Sequence, residues 1–241
     1  PVFAMSQLAI QPDAASGVDA YITDAVPTGN FGTAETLLVG TNVIGSAFNM
    51  RSLLRFDVSG VPLGTAILQA TLHLQITSSI LASDDAFTAY RLTQTGWTED
   101  GVTWEKYDGS NNWSTAGGDY SLVGAAACVL QEPGDVHFDV TALVLDAIAN
   151  RGGILNLLIK GSESGSTQFM EVSSSDEPTA LIRPLLTIDY SAQGSRPFML
   201  PAMLATDDVQ AEATVTAVAW DVEELQVYTP GLVVAGGMVA Q

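Results

Sequence analysis

A strict two-residue alternation of apolar and polar side chains runs from Leu68 to Thr77, and it constrains the fold more than any other feature of the sequence. Leu, Ala and Ile occupy every second position from Leu68 to Ile76, while Gln, Thr and His fill the positions between them. Successive side chains of a β-strand point to opposite faces of its sheet. The pattern therefore predicts a strand with one buried and one solvated face, with His73 on the solvated face.

Similar short runs recur along the chain. They are Thr36–Val39, Ser52–Val58, Phe87–Leu92, Val136–Val140, Ile154–Ile159, Gln168–Val172 and Leu185–Tyr190. Clusters of turn-forming residues separate them, as at Pro27–Asn30 and Gly60–Gly64. Many short strands with turn signals between them predict an all-β fold, an antiparallel β-sandwich.

One segment has the period of a helix instead. Its apolar positions recur at helical spacing, at Val140, Leu143, Val144, Ala147 and Ile148. Asp139 or Thr141 is expected to cap the start of this helix, and the Gly152–Gly153 pair is expected to end it. We therefore predict one short helix near residues 140–150.

The chain changes character after residue 190. We divide it into a β-sandwich over residues 1–190 and an extended C-terminal arm over residues 191–241. Glycine and proline interrupt the apolar clusters of the arm, so it is too short and too broken to enclose them alone. We expect the arm to bury them on another chain, the alternative being that it folds back on its own sandwich. The candidate assembly residues are Phe198, Met199, Leu200, Trp220, Leu232 and Val233.

The charge balance excludes several classes of ligand. Lys and Arg total 8 against 27 Asp and Glu, for a formal net charge of −19 at pH 7. Such a field repels phosphate backbones and anionic membrane surfaces, so we expect no nucleic acid partner and no membrane insertion. The first residues lack the basic and then apolar pattern of a secretory signal, which favours synthesis in the cytosol without export.

No catalytic motif is present in the sequence. The Gly161–Gly165 segment has Glu163 where a nucleophile elbow needs serine. The two histidines, His73 and His137, are expected to be solvated strand residues without partners, and Cys128 is expected to be an inert packed thiol. We therefore expect no enzymatic activity.

Five aromatic residues cluster in the middle of the chain: Trp97, Trp104, Tyr107, Trp113 and Tyr120. Flat aromatic faces beside polar groups are typical of sugar-binding surfaces, because sugar C–H faces stack on rings. Trp113 lies among Asn and Ser and is expected to be exposed, whereas Trp104 is expected to point into the core. The alternative is that the rings plug one end of the sandwich. The candidate ligand-binding residues are Trp113, Tyr107, Asp119 and Tyr120.

Oxygen-bearing side chains also recur from Asp108 to Asp119 at the spacing of a calcium-binding loop. Trp113 occupies the position that needs glycine, and Asp119 occupies the position that is usually glutamate. We therefore expect no cofactor here, and a structural calcium ion elsewhere in the sandwich loops stays an alternative.

Several phrases occur in a fixed order along the chain. They are Asp19–Ile22, Asn30–Gly32, Arg51–Asp57, Ala70–Leu72, Trp97–Trp104, Trp113–Tyr120, Phe138–Thr141 and Arg183–Ile188. Together they resemble the DNRLRE domain family over residues 10–190. The resemblance implies a jelly-roll β-sandwich classed among carbohydrate-binding modules, and it supplies no catalytic residue. Family members are usually appended to secreted enzymes and wall-associated proteins, and some occur in phage virion proteins.

Two functions from different classes follow. The first is a non-enzymatic structural protein of a bacteriophage virion, such as a capsid decoration, tail or fibre component, which assembles with copies of itself or with other virion proteins. The second is a free-standing or secreted carbohydrate-binding module that recognises a polysaccharide outside the cell. The apolar arm favours the first, because an assembly protein needs such an arm and a binding module does not.

Overall fold

The computed structural model describes residues 5–81, 87–131, 134–163 and 165–191. Within these ranges the strands are β1 (Met5–Ile10), β2 (Asp19–Thr23), β3 (Thr36–Ile44), β4 (Ser46–Asp57), β5 (Ile67–Ile80), β6 (Thr88–Leu92), β7 (Tyr120–Gln131), β8 (Asp135–Asp139), β9 (Ile154–Lys160), β10 (Gln168–Ser173) and β11 (Leu185–Ser191). One α-helix, α1 (Thr141–Asn150), follows β8. The six candidate assembly residues of the arm lie outside the described residues.

Every strand pairing is antiparallel, and the strands form two facing sheets. Sheet A contains β1, β11, β5, β8 and the end of β7. Sheet B contains, in order, the end of β5, β10, β3, β4, β9, β6 and the start of β7. Strand β2 also belongs to sheet B, where it pairs with β4. The long strands β5 and β7 thus belong to both sheets. Because β8 pairs with both of them, hydrogen bonding closes a ring of eight strands. The predicted all-β sandwich is confirmed.

The alternation in β5 places its side chains largely as predicted. Ala70, Leu72 and Leu74 are almost completely buried in the main core between the sheets. Leu68 is the exception, with half of its surface exposed. The pairing with β11 skips Leu68 at a bulge, and a bulge re-aims the side chain of the extra residue.

The helix predicted near residues 140–150 is confirmed, and its apolar stripe packs on the core through Leu143, Val144 and Ala147. Its N-cap residue is Val140, which has no side-chain capping bond, although Asp139 accepts the backbone N–H of Thr141 at 3.1 Å. The glycine pair ends the helix as expected. None of the helices in the described ranges is long and apolar enough to span a membrane.

Sheet B is buried on both faces around β4 and β9. Adjacent residues Leu53 and Leu54 of β4 point to opposite faces, and both are almost fully buried. Leu54 packs in the main core, whereas Leu53 packs in a second core on the outer face. That outer face is covered by residues 93–119, here called the cover segment, which contributes Trp97, Val102 and Trp113 to the second core. The aromatic residues therefore lie over a sheet face and do not plug an end of the sandwich.

Candidate functional site

Trp113 is buried in the second core, with 5% of its surface exposed. Its indole Nε1 donates a hydrogen bond to the carbonyl of Thr103 at 2.9 Å, and its ring packs against Tyr107 with centroids 5.7 Å apart. The neighbouring Asn112 and Ser114 face solvent, which explains the polar sequence around the ring. The expectation that Trp113 is exposed is therefore wrong, and its ring has no stacking face open to a sugar.

Asp119 closes a turn of the cover segment. Its two carboxylate oxygens accept the backbone N–H groups of Ser114 and Thr115, both at 2.8 Å. Asp108 closes the preceding turn in the same way, because its Oδ1 accepts the backbone N–H groups of Ser110 and Asn111. Both acids of the segment with calcium-loop spacing thus accept hydrogen bonds from nearby backbone donors.

Tyr120 and Trp104 lie together around a buried arginine. Five residues form what we call the Arg51 cluster: Arg51, Trp104, Tyr120, Lys160 and Glu163. They come from β4, the cover segment, the start of β7, the end of β9 and the loop after β9. Trp104 packs against the second core, in the direction that the sequence predicted, but it is only partly buried. The sequence placed only Tyr120 of this cluster at a ligand site.

Arg51 is fixed by three hydrogen-bond acceptors and two rings. Its Nε and Nη2 donate to the two carboxylate oxygens of Glu163 at 2.6 and 2.9 Å, and Nη1 donates to the carbonyl of Gly117 at 2.7 Å. The guanidinium lies 4.8 Å from the ring centroid of Trp104 and 5.9 Å from that of Tyr120. A bidentate pair combined with cation–π contacts holds the rings in place.

Gly117 makes this arrangement sterically feasible. A Cβ atom at this position would lie 2.7 Å from Nη1 of Arg51 and 2.8 Å from the ring of Trp104, and its φ is +89°. A side chain at this position would therefore clash with Arg51 and Trp104, and it would also strain the backbone. The close approach of the cover segment to Arg51 depends on this glycine.

Lys160 extends the cluster toward solvent. Its ammonium donates to Glu163 at 2.8 Å and to the hydroxyl of Tyr120 at 3.4 Å, and it lies 5.4 Å from the centroid of that ring. An ammonium carries three N–H donors, and the described residues accept two of them. The remaining donor can serve a ligand hydroxyl or carboxylate.

Glu163 joins the two cations. Burial alone would raise the pKa of its carboxyl, but hydrogen bonds and charge from Arg51 and Lys160 outweigh burial and hold the pKa below its usual range. Its backbone has φ of +51°, the left-handed region that non-glycine residues seldom adopt. The two ion pairs offset this strain, and such strained residues concentrate at functional sites.

The cluster offers the elements of a sugar-binding surface. The rings of Trp104, Tyr120 and Tyr90 are partly exposed, and Tyr90 packs on Tyr120 with centroids 4.7 Å apart. Fixed cationic donors lie directly beside these rings. Such an arrangement can stack a sugar ring and hydrogen-bond its polar groups at the same time.

A cleft of 540 Å³ lies at the other end of the cover segment, lined in part by Arg55, Arg151 and Asn156. The guanidinium of Arg55 covers the Trp97 ring at 4.7 Å, but Trp97 is almost completely buried. The cleft therefore offers hydrogen-bond donors, but the Arg55–Trp97 pair presents no exposed ring to it. The cleft is a weaker candidate than the Arg51 cluster for stacking a sugar.

The two histidines are not the isolated surface residues that the sequence predicted. His73 and His137 are cross-strand partners, with Nδ1 of His73 3.0 Å from Nε2 of His137. His137 also contacts Asp135 at 2.7 Å, and Nε2 of His73 contacts the hydroxyl of Thr187 at 3.1 Å. Burial and the neighbouring His137 lower the pKa of His73, against the opposing effect of Asp135.

Two groups of side chains are compact enough to hold a metal ion. One is His73, Asp135 and His137, and the other is Asp19, Glu99 and Asp176; in each group the ligand atoms lie within 4.8 Å of one another. In the first group, both ring nitrogens of His73 and Nε2 of His137 already have partners. The second group contains only carboxylates, and burial is the main cause that raises the pKa of each of them.

The profile of carbohydrate-binding module family 96 matches residues 12–190, well over half of the chain. The chain belongs to carbohydrate-binding module family 96. The match covers β2 to β10 and nearly all of β11, together with the cover segment and the Arg51 cluster. It agrees with the predicted resemblance to carbohydrate-binding modules, while the DNRLRE name and a phage setting stay predictions. No curated protein matches the chain significantly.

Sequence reasoning did not select Arg51, Lys160 or Glu163 as site residues. One signal was present, because Arg51 interrupts the apolar run of β4 on the face of Leu53. A charged residue on a buried strand face needs a partner. The partner lies 112 positions away in sequence, so the pairing could not be found without the fold.

Proposed function

We propose that the chain is a non-catalytic module that binds a polysaccharide at the Arg51 cluster. The observation that carries the proposal is the partly exposed Trp104 ring beside two cations, Arg51 and Lys160, which Glu163 holds in place. Membership of a carbohydrate-binding module family supports the same class of ligand.

The chemistry of the cluster favours binding over catalysis. Glycoside hydrolysis needs a carboxylic acid that can donate a proton and a second carboxylate to assist it. Glu163 is the one carboxylate of the Arg51 cluster, and two cations keep its pKa low. Such a group is a poor general acid. We therefore assign Trp104 to stacking and Lys160 to hydrogen bonding.

The test is a binding panel of neutral and uronic-acid polysaccharides, measured by affinity electrophoresis and calorimetry on the full chain. Lys160→Ala and Trp104→Ala should each weaken binding at least about tenfold, the loss of one good polar or stacking contact. Lys106→Ala is the matched control, because Lys106 lies in the cover segment and its ammonium contacts only a loop carbonyl, that of Gly109, among the described residues. Binding that survives both cluster substitutions would place the ligand elsewhere.

A structural role in a virion is the second candidate function. The observation that favours it is the sequence of residues 191–241, whose apolar clusters are too large for a solvated tail. Under this proposal the chain resides in the virion and contacts copies of itself or other virion proteins, whereas a secreted binding module acts outside the cell. Deleting residues 195–241 should then abolish self-association or incorporation into particles, as measured by ultracentrifugation, and should leave polysaccharide binding intact.

A further inference from the structure

Three carboxylates from distant parts of the sequence converge at one edge of the cover segment. Asp19 begins β2, Glu99 belongs to the cover segment, and Asp176 lies in the turn after β10. One ligand oxygen of each lies within 4.8 Å of the other two. A hydrogen bond links two of these residues, because the backbone N–H of Asp19 donates to Oε1 of Glu99 at 3.0 Å.

Asp19 is the buried member of this group, and one of its carboxylate oxygens is unsatisfied. The residue is 3% exposed, and its Oδ2 accepts the backbone N–H of Ser175 at 2.9 Å. Its Oδ1 is buried without a hydrogen-bond partner, and so is the hydroxyl of Ser175, although that hydroxyl lies close enough to lower the pKa of Asp19. Buried oxygens without partners are rare because they lose their hydration without compensation.

The electrostatics of the three carboxylates also favour a bound cation. Burial, with added repulsion from Glu99 and Asp176, raises the pKa of Asp19 to about 7 despite its hydrogen bonds. The pKa values of Glu99 and Asp176 are also raised, mainly by burial, even though Arg55 and Arg183 act to lower them. Protonating Asp19 would also relieve the repulsion. A bound cation relieves the repulsion and satisfies the oxygen together.

We propose that Asp19, Glu99 and Asp176 bind a calcium ion. Ligands that are all hard oxygens select Ca²⁺ or Mg²⁺ over transition metals, which prefer nitrogen and sulfur. Calcium accepts an irregular set of six to eight oxygens, including carboxylates and hydroxyls, whereas magnesium demands a near-ideal octahedron and retains water. A group of three carboxylates beside a buried hydroxyl therefore suits calcium.

The ion has a structural consequence for the sugar-binding surface. Glu99 belongs to the same segment as Trp104, and the Glu99 carbonyl also accepts a hydrogen bond from the side chain of Asn30 at 2.7 Å. Calcium at this position fastens the cover segment to β2 and to the turn after β10. The inference stands independently of the proposed polysaccharide, because its test measures the metal alone.

The experiment strips the full chain with EDTA and then follows thermal unfolding and terbium luminescence excited through tryptophan. Calcium at about one hundred times its Kd should raise Tm by about 5 °C or more, and the same concentration of magnesium should raise it less. Calcium should also displace terbium.

Asp176→Asn is the test variant, because Asp176 is partly exposed and its replacement leaves the buried Asp19 in place. It should weaken terbium and calcium binding at least tenfold. Asp108→Asn is the matched control from the loop that the sequence suggested, and it should bind calcium as the native chain does. Absence of binding by the native chain, unchanged binding by Asp176→Asn, or loss of binding in Asp108→Asn alone would each overturn the proposal.

Discussion

The indole Nε1–H of Trp97 donates to Oδ1 of Asn156 at 2.9 Å, and both residues are almost completely buried. The same oxygen accepts a second hydrogen bond from Nε of Arg55, also at 2.9 Å. Asn156 lies on β9 and Trp97 on the cover segment, so this amide oxygen is one of the groups that attach the cover segment to sheet B. Two donors, the indole N–H of Trp97 and the charged guanidinium of Arg55, depend on this oxygen.

Replacing that amide should therefore loosen the cover segment. Asn156→Ala leaves the Trp97 and Arg55 donors without their acceptor, and each unsatisfied buried donor costs about 1–3 kcal/mol. The free energy of unfolding, measured in urea, should fall by that order. Asn112→Ala, at an exposed position of the cover segment, should change it by less than about 0.5 kcal/mol. Equal effects of the two substitutions would contradict the proposed attachment.

Trp113 should contribute mainly to stability, and Trp104 mainly to polysaccharide binding. Trp113→Ala removes a buried ring and should cost about 3–5 kcal/mol of unfolding free energy. Trp104→Ala removes a partly exposed ring and should cost less stability while it weakens polysaccharide binding. Urea unfolding and affinity electrophoresis on the same two variants separate these outcomes. A larger stability loss for Trp104→Ala would restore the assignment predicted from the sequence.

Two leucines of β5 provide a test of the bulge. Leu72→Asp places a lone carboxylate in the main core, which costs several kcal/mol or forces the acid to stay protonated. Leu68→Asp makes the same change at a half-exposed position, where the effect should stay near about 0.5 kcal/mol. Thermal unfolding at pH 7 measures both. Comparable losses of Tm would mean that Leu68 is buried and that the bulge is absent.

Glu163 should make stability depend on pH. Because its folded-state pKa lies below the ordinary glutamate value, the carboxylate stabilises the fold above that ordinary value, and the stabilisation is lost as the pH falls through the folded-state pKa. Glu163→Gln should therefore reduce the unfolding free energy at pH 7 by about 1.5–3 kcal/mol, the range for hydrogen bonds to charged groups. The difference between variant and native chain should shrink toward pH 3. A difference that stays constant with pH would refute the ion-pair explanation.

Local patterns predicted the elements better than the site. The alternation of β5 and the helical spacing of α1 are properties of contiguous residues, and both were found as expected. Trp113 was misplaced because its polar neighbours face solvent while its own ring turns inward, and strand-like alternation does not hold in an irregular segment. The Arg51–Glu163 and Asp19–Glu99–Asp176 groups join residues far apart in the chain, so only the fold brings them together.

Closure of the eight-strand ring bears on how the protein behaves at high local concentration. Unpaired strand edges recruit strands from other molecules and start aggregation. Among the described strands, only β1 and β2 pair with a single neighbour. Many copies of this sandwich can therefore be crowded on one surface with few backbone edges through which neighbouring copies could add strands to each other.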